Sequence, residues 1–223
     1  VKKTISFCAI IPAREGSKRI KLKNIVNFRK KPLIFWTIQA AISSGVFDKI
    51  YVSTDSEKIK NKVKSFKNIK ILKRPKILAL RKTKSEPVIR HVLKKIKKKH
   101  DYFLLLQPTS PLRTKYDIRN VSKIIKKNLF NTCISISKLK NEPFRIKHNG
   151  KIFIKSKFFK FLKNKNKYYY NGAIYAASFS FFLRHQNFYE KNANYYLMDK
   201  KNSIDIDTIE DLNRASKINE RTQ

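Results

Sequence analysis

A basic loop follows the first strongly apolar segment of the chain. Residues 5–11 form a continuous apolar run, which is typical of a strand buried on both faces, and the loop begins at Pro12. Gly16 lets the backbone approach a ligand closely, and Arg or Lys side chains with backbone N–H groups suit a polyphosphate. The loop therefore predicts a phosphate site, or else a solvated basic turn of a Lys-rich protein. Its candidate residues are Arg14, Ser17, Lys18, Arg19, Lys21 and Lys23.

Acidic residues are scarce, yet Asp205, Asp207, Glu210 and Asp211 fall within seven positions. Asp205 and Asp207 are two residues apart, so their side chains share one side of an extended segment. Two carboxylates beside a triphosphate are what Mg²⁺ requires, because it keeps water and phosphate oxygens as its other ligands. The pattern predicts a metal site at Asp205 and Asp207. The alternative is that Asp207 caps the following helix in a capping box with Glu210, and this would leave Asp205 unexplained.

Neutral amides and aromatic residues complete the set of side chains with possible chemistry. Gln107 and Asn171 lie at ends of predicted strands, where they suit hydrogen bonding to sugar hydroxyls or a carboxylate, although each could equally be a turn residue. Tyr175, Phe188 and Tyr189 could line an apolar pocket or pack in the core. These five residues are therefore candidates for contacts with the polar and apolar parts of a ligand.

Strand-like and helix-like patterns alternate along the chain. This alternation predicts one domain over residues 1–223, an α/β fold with a doubly wound, mostly parallel Rossmann-like sheet. Ligands bind such sheets at the carboxyl ends of the strands, so loops 14–24, 107–113 and 205–207 should meet there. The predicted strands are 5–11, 49–53, 69–72, 102–106, 132–137 and 172–177. The predicted helices are 33–44, 57–66, 85–99, 115–127 and 208–218.

The chain is strongly basic. Its 223 residues include 53 Lys or Arg and 15 Asp or Glu, for a formal net charge of +38. Such a charge is typical of nucleic-acid-binding proteins, so a basic nucleic-acid binder on a degenerate enzyme scaffold is a distant alternative function. However, Lys residues are spread along the whole chain, without a helix-turn-helix, zinc-finger or aromatic RNA-binding motif. This distribution favours compositional bias, with no specific nucleic acid as partner.

Cysteine usage and hydropathy bear on the compartment. Cys8 and Cys133 lie in apolar β-like runs, which predicts buried thiols in a reducing environment. No apolar run reaches the length of about 18 residues that a membrane-spanning helix needs. The first segment also lacks the longer apolar region and cleavage site of a signal peptide. We therefore expect a cytoplasmic protein with no membrane partner.

Five ordered segments resemble the acylneuraminate cytidylyltransferases, the CMP-sialic acid synthetase family. They cover nearly the whole chain, and their order and spacing agree with the family. The combination of LQPTSPLRT, NGAIY and DIDTIEDL is specific. The five segments are IIPAREGSKRIKLKN (10–24), FDKIYVSTDSEKI (47–59), LLLQPTSPLRT (104–114), NGAIY (171–175) and SIDIDTIEDL (203–212).

The resemblance implies that CTP activates a nine-carbon, sialic-acid-like sugar. The anomeric hydroxyl would attack the α-phosphate, with Mg²⁺ (or Mn²⁺) bridging the phosphates, and pyrophosphate would leave. Legionaminate or pseudaminate is the alternative substrate. Patterns and resemblance together name Arg14, Lys23 and Asp207 as catalytic. The CTP-binding candidates are Arg14, Ser17, Lys23, Asn24, Arg74 and Ser85, the sugar-binding candidates are Gln107, Arg145, Asn171, Tyr175, Phe188 and Tyr189, and the metal ligands are Asp205 and Asp207.

The resemblance also implies a homodimer. In the family, the stretch after the fifth strand is a dimerisation excursion that inserts a basic residue into the neighbour's site. The irregular segment 138–170 is its counterpart here, and Arg145 is the expected basic residue, with Lys147 as fallback. Two departures are visible: Arg81 stands where the family has an acidic residue, and its Arg-Gln-x-Leu-Pro segment before NGAIY is missing, with Lys160 or Lys163 as weak substitutes.

Overall fold

A computed structural model describes residues 4–138, 168–190 and 193–218. These residues form nine strands and six α-helices. The strands are β1 (Phe7–Pro12), β2 (Asn27–Phe28), β3 (Lys31–Pro32), β4 (Lys49–Thr54), β5 (Ile69–Lys73), β6 (Tyr102–Leu106), β7 (Thr132–Lys138), β8 (Tyr168–Ser178) and β9 (Asn194–Leu197). The helices are α1 (Leu33–Ser44), α2 (Glu57–Val63), α3 (Ser85–Lys95), α4 (Lys115–Asn128), α5 (Phe179–His185) and α6 (Ile209–Ser216).

Seven of these strands form one sheet in the order β5-β4-β1-β6-β8-β7-β9, and β2 and β3 form a separate hairpin. β4 pairs in parallel with β1 and β5, β6 in parallel with β1, and β9 in parallel with β7. Only β8 runs antiparallel to its two neighbours, β6 and β7. The predicted α/β fold with a mostly parallel sheet is therefore confirmed.

Helices cover both faces of the sheet because the central strands are apolar on both sides. In β1, Ala9 and Ile11 face the cluster that includes Ile34 and Ile38 of α1, and this cluster also takes in α2 and α4. Ile10 of the same strand faces the other cluster, which contains residues of α3 and α5. The period of two in strand side chains thus divides one apolar run between two core layers.

Several predicted boundaries are confirmed and others shift. α1 and β6 have the predicted bounds, whereas α3 ends at Lys95 rather than at residue 99. β9 and α5 were not predicted. The predicted capping box of Asp207 and Glu210 is wrong: Thr208 caps α6, its hydroxyl accepts from the Asp211 N–H, and the Asp211 carboxylate closes the box. Asp207 therefore does not cap α6.

The predicted excursion can be compared with the fold only at its ends. β7 ends at Lys138 and β8 begins at Tyr168, so both ends of segment 138–170 are strand residues. The remaining positions, including Arg145, Lys147, Lys160 and Lys163, lie outside the described residues. The dimerisation role of this segment stays a prediction.

The predicted buried thiols are confirmed, since Cys8 and Cys133 are both free and inaccessible to solvent. Burial raises the pKa of the Cys133 thiol to about 12, which makes it unreactive near neutral pH. Across the described part of the chain, no helix is both long enough and apolar enough to cross a membrane.

Candidate active site

A cavity of about 680 Å³ opens at the carboxyl ends of the parallel strands. The loops after β1 and β6 meet there with the stretch 205–207, as the fold class predicts, and the segment after β5 closes another side. Asp205 and Asp207 are the carboxylates of its lining. Its lining cations are Arg14, Lys18, Arg19, Lys23, Arg74, Arg81 and Lys84. This excess of positive charge suits a polyanionic ligand.

The loop after β1 is held by its own polar groups. The Asn24 amide donates to the Arg14 carbonyl oxygen at 2.8 Å, and Asn24 is buried. Arg14 in turn donates to the Ala79 carbonyl oxygen at 3.3 Å, which joins this loop to the segment after β5. The loop therefore has a defined path across the cavity, and Ser17 lines it as well.

Arg74 and Ser85 also line this cavity. Arg74 is buried, and its guanidinium donates to the hydroxyl and the carbonyl oxygen of Ser53 at 3.2 and 2.7 Å. Burial lowers the pKa of Arg74 to about 10, so it stays charged at neutral pH. Ser85 is the first residue of α3. All six CTP-binding candidates thus line one cavity.

Lys23 and Asp207 form a hydrogen-bonded ion pair. The Lys23 ammonium donates to Asp207 Oδ1 at 2.8 Å and to the Ile206 carbonyl oxygen at 2.9 Å. Arg19 forms a second ion pair, with Nη1 3.0 Å from Asp207 Oδ2. The hydrogen bond from Lys23 is the main reason that the pKa of Asp207 is lowered. The charges of Lys23 and Asp207 therefore neutralise one another in this structure.

Asp205 lies in a different environment, although it borders the same cavity. The pKa of its carboxyl group is raised because surrounding protein atoms displace water from it, although the residue as a whole is exposed; a hydrogen bond with Thr109 opposes this shift, and the nearby negative charge of Asp207 adds to it. The Ile206 N–H donates to the Thr109 carbonyl oxygen at 2.7 Å, which fixes the backbone between the two aspartates. Two neighbouring carboxylates on one fixed segment provide the hard oxygen donors that Mg²⁺ takes from proteins.

No group of three or more His, Cys, Asp or Glu side chains that could hold a metal occurs in residues 4–138, 168–190 and 193–218. A metal at Asp205 and Asp207 would therefore need ligand oxygens from a substrate or from water. This requirement matches the usual behaviour of Mg²⁺ at phosphate sites, so the residues fit such an ion.

Gln107 also lines the cavity, at the end of β6. Beside it lies Gly172, which has a positive φ of 77° that L side chains rarely adopt. A Cβ at Gly172 would lie 3.7 Å from Gln107 Oε1 and 3.9 Å from Asp205 Oδ2. Gly172 thus brings β8 close to both polar groups. Sequence reasoning missed this role, although an isolated Gly in a strand pattern is a signal of close backbone approach.

Asn171 is not among the residues that line this cavity. Its amide oxygen accepts from the Ser135 hydroxyl at 2.6 Å and from the Ala173 N–H at 3.1 Å. Its amide nitrogen donates to the Ser137 hydroxyl at 2.9 Å. These bonds tie β8 to β7 where their register shifts between Ile134 and Ile136.

Tyr175, Phe188 and Tyr189 group together on the α3 side of the sheet. The rings of Tyr175 and Phe188 lie 5.2 Å apart, and Phe188 is only 3% exposed because it also packs on Phe103 and Phe182. Tyr175 hydrogen-bonds Tyr189, and burial is the main cause of its raised pKa. Asp205 contributes to this shift, so Tyr175 lies within electrostatic reach of the cavity.

Comparisons with known proteins agree with this geometry. Residues 8–222 match the cytidylyltransferase family. The chain is 34% identical over 219 residues to an N-acylneuraminate cytidylyltransferase of Escherichia coli O18:K1:H7, covering 96% of this chain and 52% of that protein. It is 33% identical to an N-acylneuraminate cytidylyltransferase of Streptococcus agalactiae serotype III, covering 91% of this chain and 50% of that one. The chain thus spans about half the length of these relatives.

Another relative matches over its whole length. The chain is 34% identical to a CMP-N,N'-diacetyllegionaminic acid synthase of Legionella pneumophila, covering 96% of this chain and 97% of that protein. Among solved structures, a CMP:2-keto-3-deoxy-manno-octonic acid synthetase complexed with CTP has the same fold, with a TM-score of 0.70 at 14% identity and 95% and 97% of the two chains covered. Sequence match and fold together establish that this chain belongs to the cytidylyltransferase family.

Proposed function

We propose that the chain transfers the CMP group of CTP to an N-acylneuraminate-like nonulosonic acid. The observation that carries this proposal is the single cavity in which the basic loop after β1, Gln107 and the two aspartates meet. In the reaction, the anomeric oxygen forms a bond to the α-phosphorus and gives its proton to water. The bond from that phosphorus to the bridging oxygen breaks, and pyrophosphate leaves.

Arg14 and Lys23 would hold the triphosphate, since charge-assisted hydrogen bonds are the strongest available to phosphate oxygens. Ser17 would add a hydroxyl contact, while Asn24, Arg74 and Ser85 would surround the cytidine. Catalysis by such a site consists mainly of positioning and of neutralising charge that develops on the phosphates. The surplus of cations over carboxylates in the lining suits both tasks.

Asp205 and Asp207 would hold Mg²⁺ or Mn²⁺. When bound, the ion acts as a Lewis acid on phosphoryl oxygens. Lys23 and Arg19 contact Asp207 in the described structure. We therefore infer that these two cations exchange the carboxylate for the triphosphate when substrate binds.

Gln107 and Tyr175 would face the sugar acid. Tyr189 would contact its acyl group, together with Phe188 as a packing partner from within the core. Asn171 would serve the sugar side indirectly, because its amide atoms already bond to β7 and to the Ala173 N–H.

Arg145 would reach the site of a partner subunit in a homodimer. Light scattering at micromolar concentration tests the homodimer, and a monomer would contradict it. A cytoplasmic location remains part of the proposal.

Legionaminate is the second candidate acid, and a specific observation favours it. The Legionella relative matches this chain over 97% of its own length, whereas the two N-acylneuraminate relatives match over about half. We would measure pyrophosphate release from CTP with N-acetylneuraminate, legionaminate or pseudaminate in the presence of Mg²⁺. Release that depends on one of these acids is expected. Absence of release with all three would contradict the proposed function.

A further inference from the structure

Arg113 is a fully buried arginine that follows the cavity-lining residues Pro108 and Thr109 in sequence but is not itself part of the lining. Its Nη1 donates to the Ala173 carbonyl oxygen at 2.7 Å and to the Gln107 carbonyl oxygen at 3.3 Å. Its Nη2 donates to the Thr37 hydroxyl at 2.8 Å. All three acceptors are neutral groups, and Nε has no hydrogen-bond partner among the described residues. A charged group in this setting is costly to bury, so its position calls for an explanation.

The three acceptors belong to three different elements, two of which approach the cavity. Gln107 follows β6 and lines the cavity, Ala173 follows Gly172 in β8, and Thr37 lies in α1. Gly172 in turn lies next to Gln107 Oε1 and Asp205 Oδ2. One guanidinium therefore connects the backbone of two strands at the point where both approach the site.

Arg113 also closes the loop 107–113, which contacts the segment that carries Asp205 and Asp207. Its own N–H donates to the Ser110 carbonyl oxygen at 3.3 Å, and the Ser110 N–H donates to the Gln107 carbonyl oxygen at 3.3 Å. Within this loop, the Thr109 carbonyl oxygen accepts from the Ile206 N–H at 2.7 Å. Movement of the loop would consequently displace both Gln107 and the segment between Asp205 and Asp207.

We propose that Arg113 is a positioning residue that fixes Gln107 and Gly172 at the distance the sugar acid needs. The planar guanidinium reaches acceptors on separate elements in fixed directions, whereas a Lys ammonium offers its donors from a single atom. Although burial lowers its pKa to about 9, the side chain remains protonated at neutral pH and keeps its donors. The proposal rests on the proposed function only for the identity of the substrate.

Arg119 offers a matched control. It too is an arginine that donates to carbonyl oxygens, those of Ser44 at 2.9 Å and Ser43 at 3.0 Å, but it joins α4 to the end of α1. It is not among the residues lining the cavity. R119K should therefore weaken a comparable anchor without disturbing Gln107 or Gly172.

The first test is amide hydrogen exchange of wild type, R113K and R119K. We expect R113K to accelerate exchange in peptides that cover 107–113, 172–175 and 205–207, by about tenfold or more. R119K should accelerate exchange only around 43–44 and 119. If R113K does not fold, T37V removes one acceptor of Arg113 while retaining its two carbonyl acceptors, and should give the same pattern with a smaller effect.

The second test separates the two substrates. In R113K we expect the KM for the sugar acid to rise about tenfold or more, because a misplacement of about 1 Å can cost about a hundredfold. The dissociation constant for CTP, measured without the acid and without Mg²⁺ so that the two aspartates hold no metal, should change by less than about threefold. Equal losses for CTP and acid, or exchange and KM values like those of wild type, would overturn the positioning role. If wild type shows no turnover, the proposed function fails and the exchange pattern alone still decides the role of Arg113.

Discussion

The nucleotide side and the sugar side of the candidate site are built differently. The nucleotide side consists of loop residues, and all six of its predicted residues line one cavity. Among the described residues, the proposed sugar side contributes only Gln107 to that cavity, while Tyr175, Phe188 and Tyr189 belong to an aromatic cluster in the second core layer. Side chains on loops at a common sheet edge can converge without disturbing the core, whereas side chains on a long strand such as β8 must also pack.

The two sides also differ in whether their residues can change hydrogen-bond and ion-pair partners. Arg14, Lys23 and Asp207 can exchange partners, because each is only partly buried and bonded through side-chain atoms. Asn171 and Phe188 make contacts that the fold itself requires. Substitutions on the nucleotide side should therefore change ligand binding, and substitutions of the buried sugar-side residues should change stability first.

Asp207→Asn should have the largest effect on turnover. It removes a carboxylate that would hold the metal, and a loss of several kcal/mol of charge stabilisation corresponds to roughly a thousandfold, at about 1.4 kcal/mol per tenfold. Steady-state pyrophosphate release measures it. Asp199→Asn removes the same charge from an exposed residue paired with Lys201, and should leave turnover unchanged. Equal activity of the two variants would contradict the metal role of Asp207.

Phe188→Ala should lower stability rather than nucleotide affinity. Truncation of a buried Phe costs about 3–5 kcal/mol, whereas Leu183→Ala at a half-exposed position of α5 should cost less than about 1 kcal/mol. Chemical denaturation gives both free energies of unfolding. If Phe188→Ala proves as stable as wild type but loses affinity for the acid, Phe188 lines a binding pocket and does not mainly stabilise the core.

Lys23→Met should weaken CTP binding. Loss of a hydrogen bond to a charged group costs about 1.5–3 kcal/mol, so the dissociation constant should rise by roughly tenfold to a hundredfold. Isothermal titration calorimetry with CTP and Mg²⁺ measures it. Lys58→Met serves as the control, because Lys58 is exposed and pairs only distantly with Glu15, at 3.8 Å. Similar losses in both variants would indicate general attraction of anions by a basic protein.

Tyr175→Phe should have the smallest effect and should act on one substrate only. Its hydroxyl bonds Tyr189 and lies within electrostatic reach of Asp205. Loss of one neutral hydrogen bond, about 0.5–1.5 kcal/mol, should raise the KM for the acid by roughly twofold to tenfold, with CTP binding unchanged. A change confined to CTP binding would place Tyr175 on the nucleotide side.

Sequence patterns were most informative where one local rule decides the structure. The bounds of α1 follow from its apolar face and from Gly45, which ends the helix with a φ of 64°. The loops of the nucleotide side follow from the strand-end rule. The sequence predicts the cap of α6 one position too early, because Asp and Thr are both good capping residues. The ion pairs of Asp207 with Lys23 and Arg19 are tertiary contacts that the local sequence does not show.

Other features depend on contacts between distant parts of the chain. Arg113 resembles any other basic residue of a Lys-rich sequence, and its burial follows only from acceptors in α1, in β8 and at the end of β6. The sequence does not predict β9, because the run NYYL shows no clear alternation of apolar and polar residues. The hydrogen-bond partners of Asn171, Ser135 and Ser137, lie on another strand and cannot be read from the sequence, where an amide at a strand end suits either a sugar contact or a turn.

The most direct test of a nucleotide site in this cavity is calorimetric titration of wild-type protein with CTP and, separately, with ATP, both with Mg²⁺ at physiological salt. The two ligands carry the same triphosphate, so any difference in affinity reports on recognition of the base, which we propose to involve Arg74 and Ser85 of the cavity lining. We predict that CTP binds at least about tenfold more tightly, a difference of about 1.4 kcal/mol. Equal affinities that fall together as salt rises would show that the net charge of +38 alone attracts the triphosphate, and would contradict a cytidylyltransferase site.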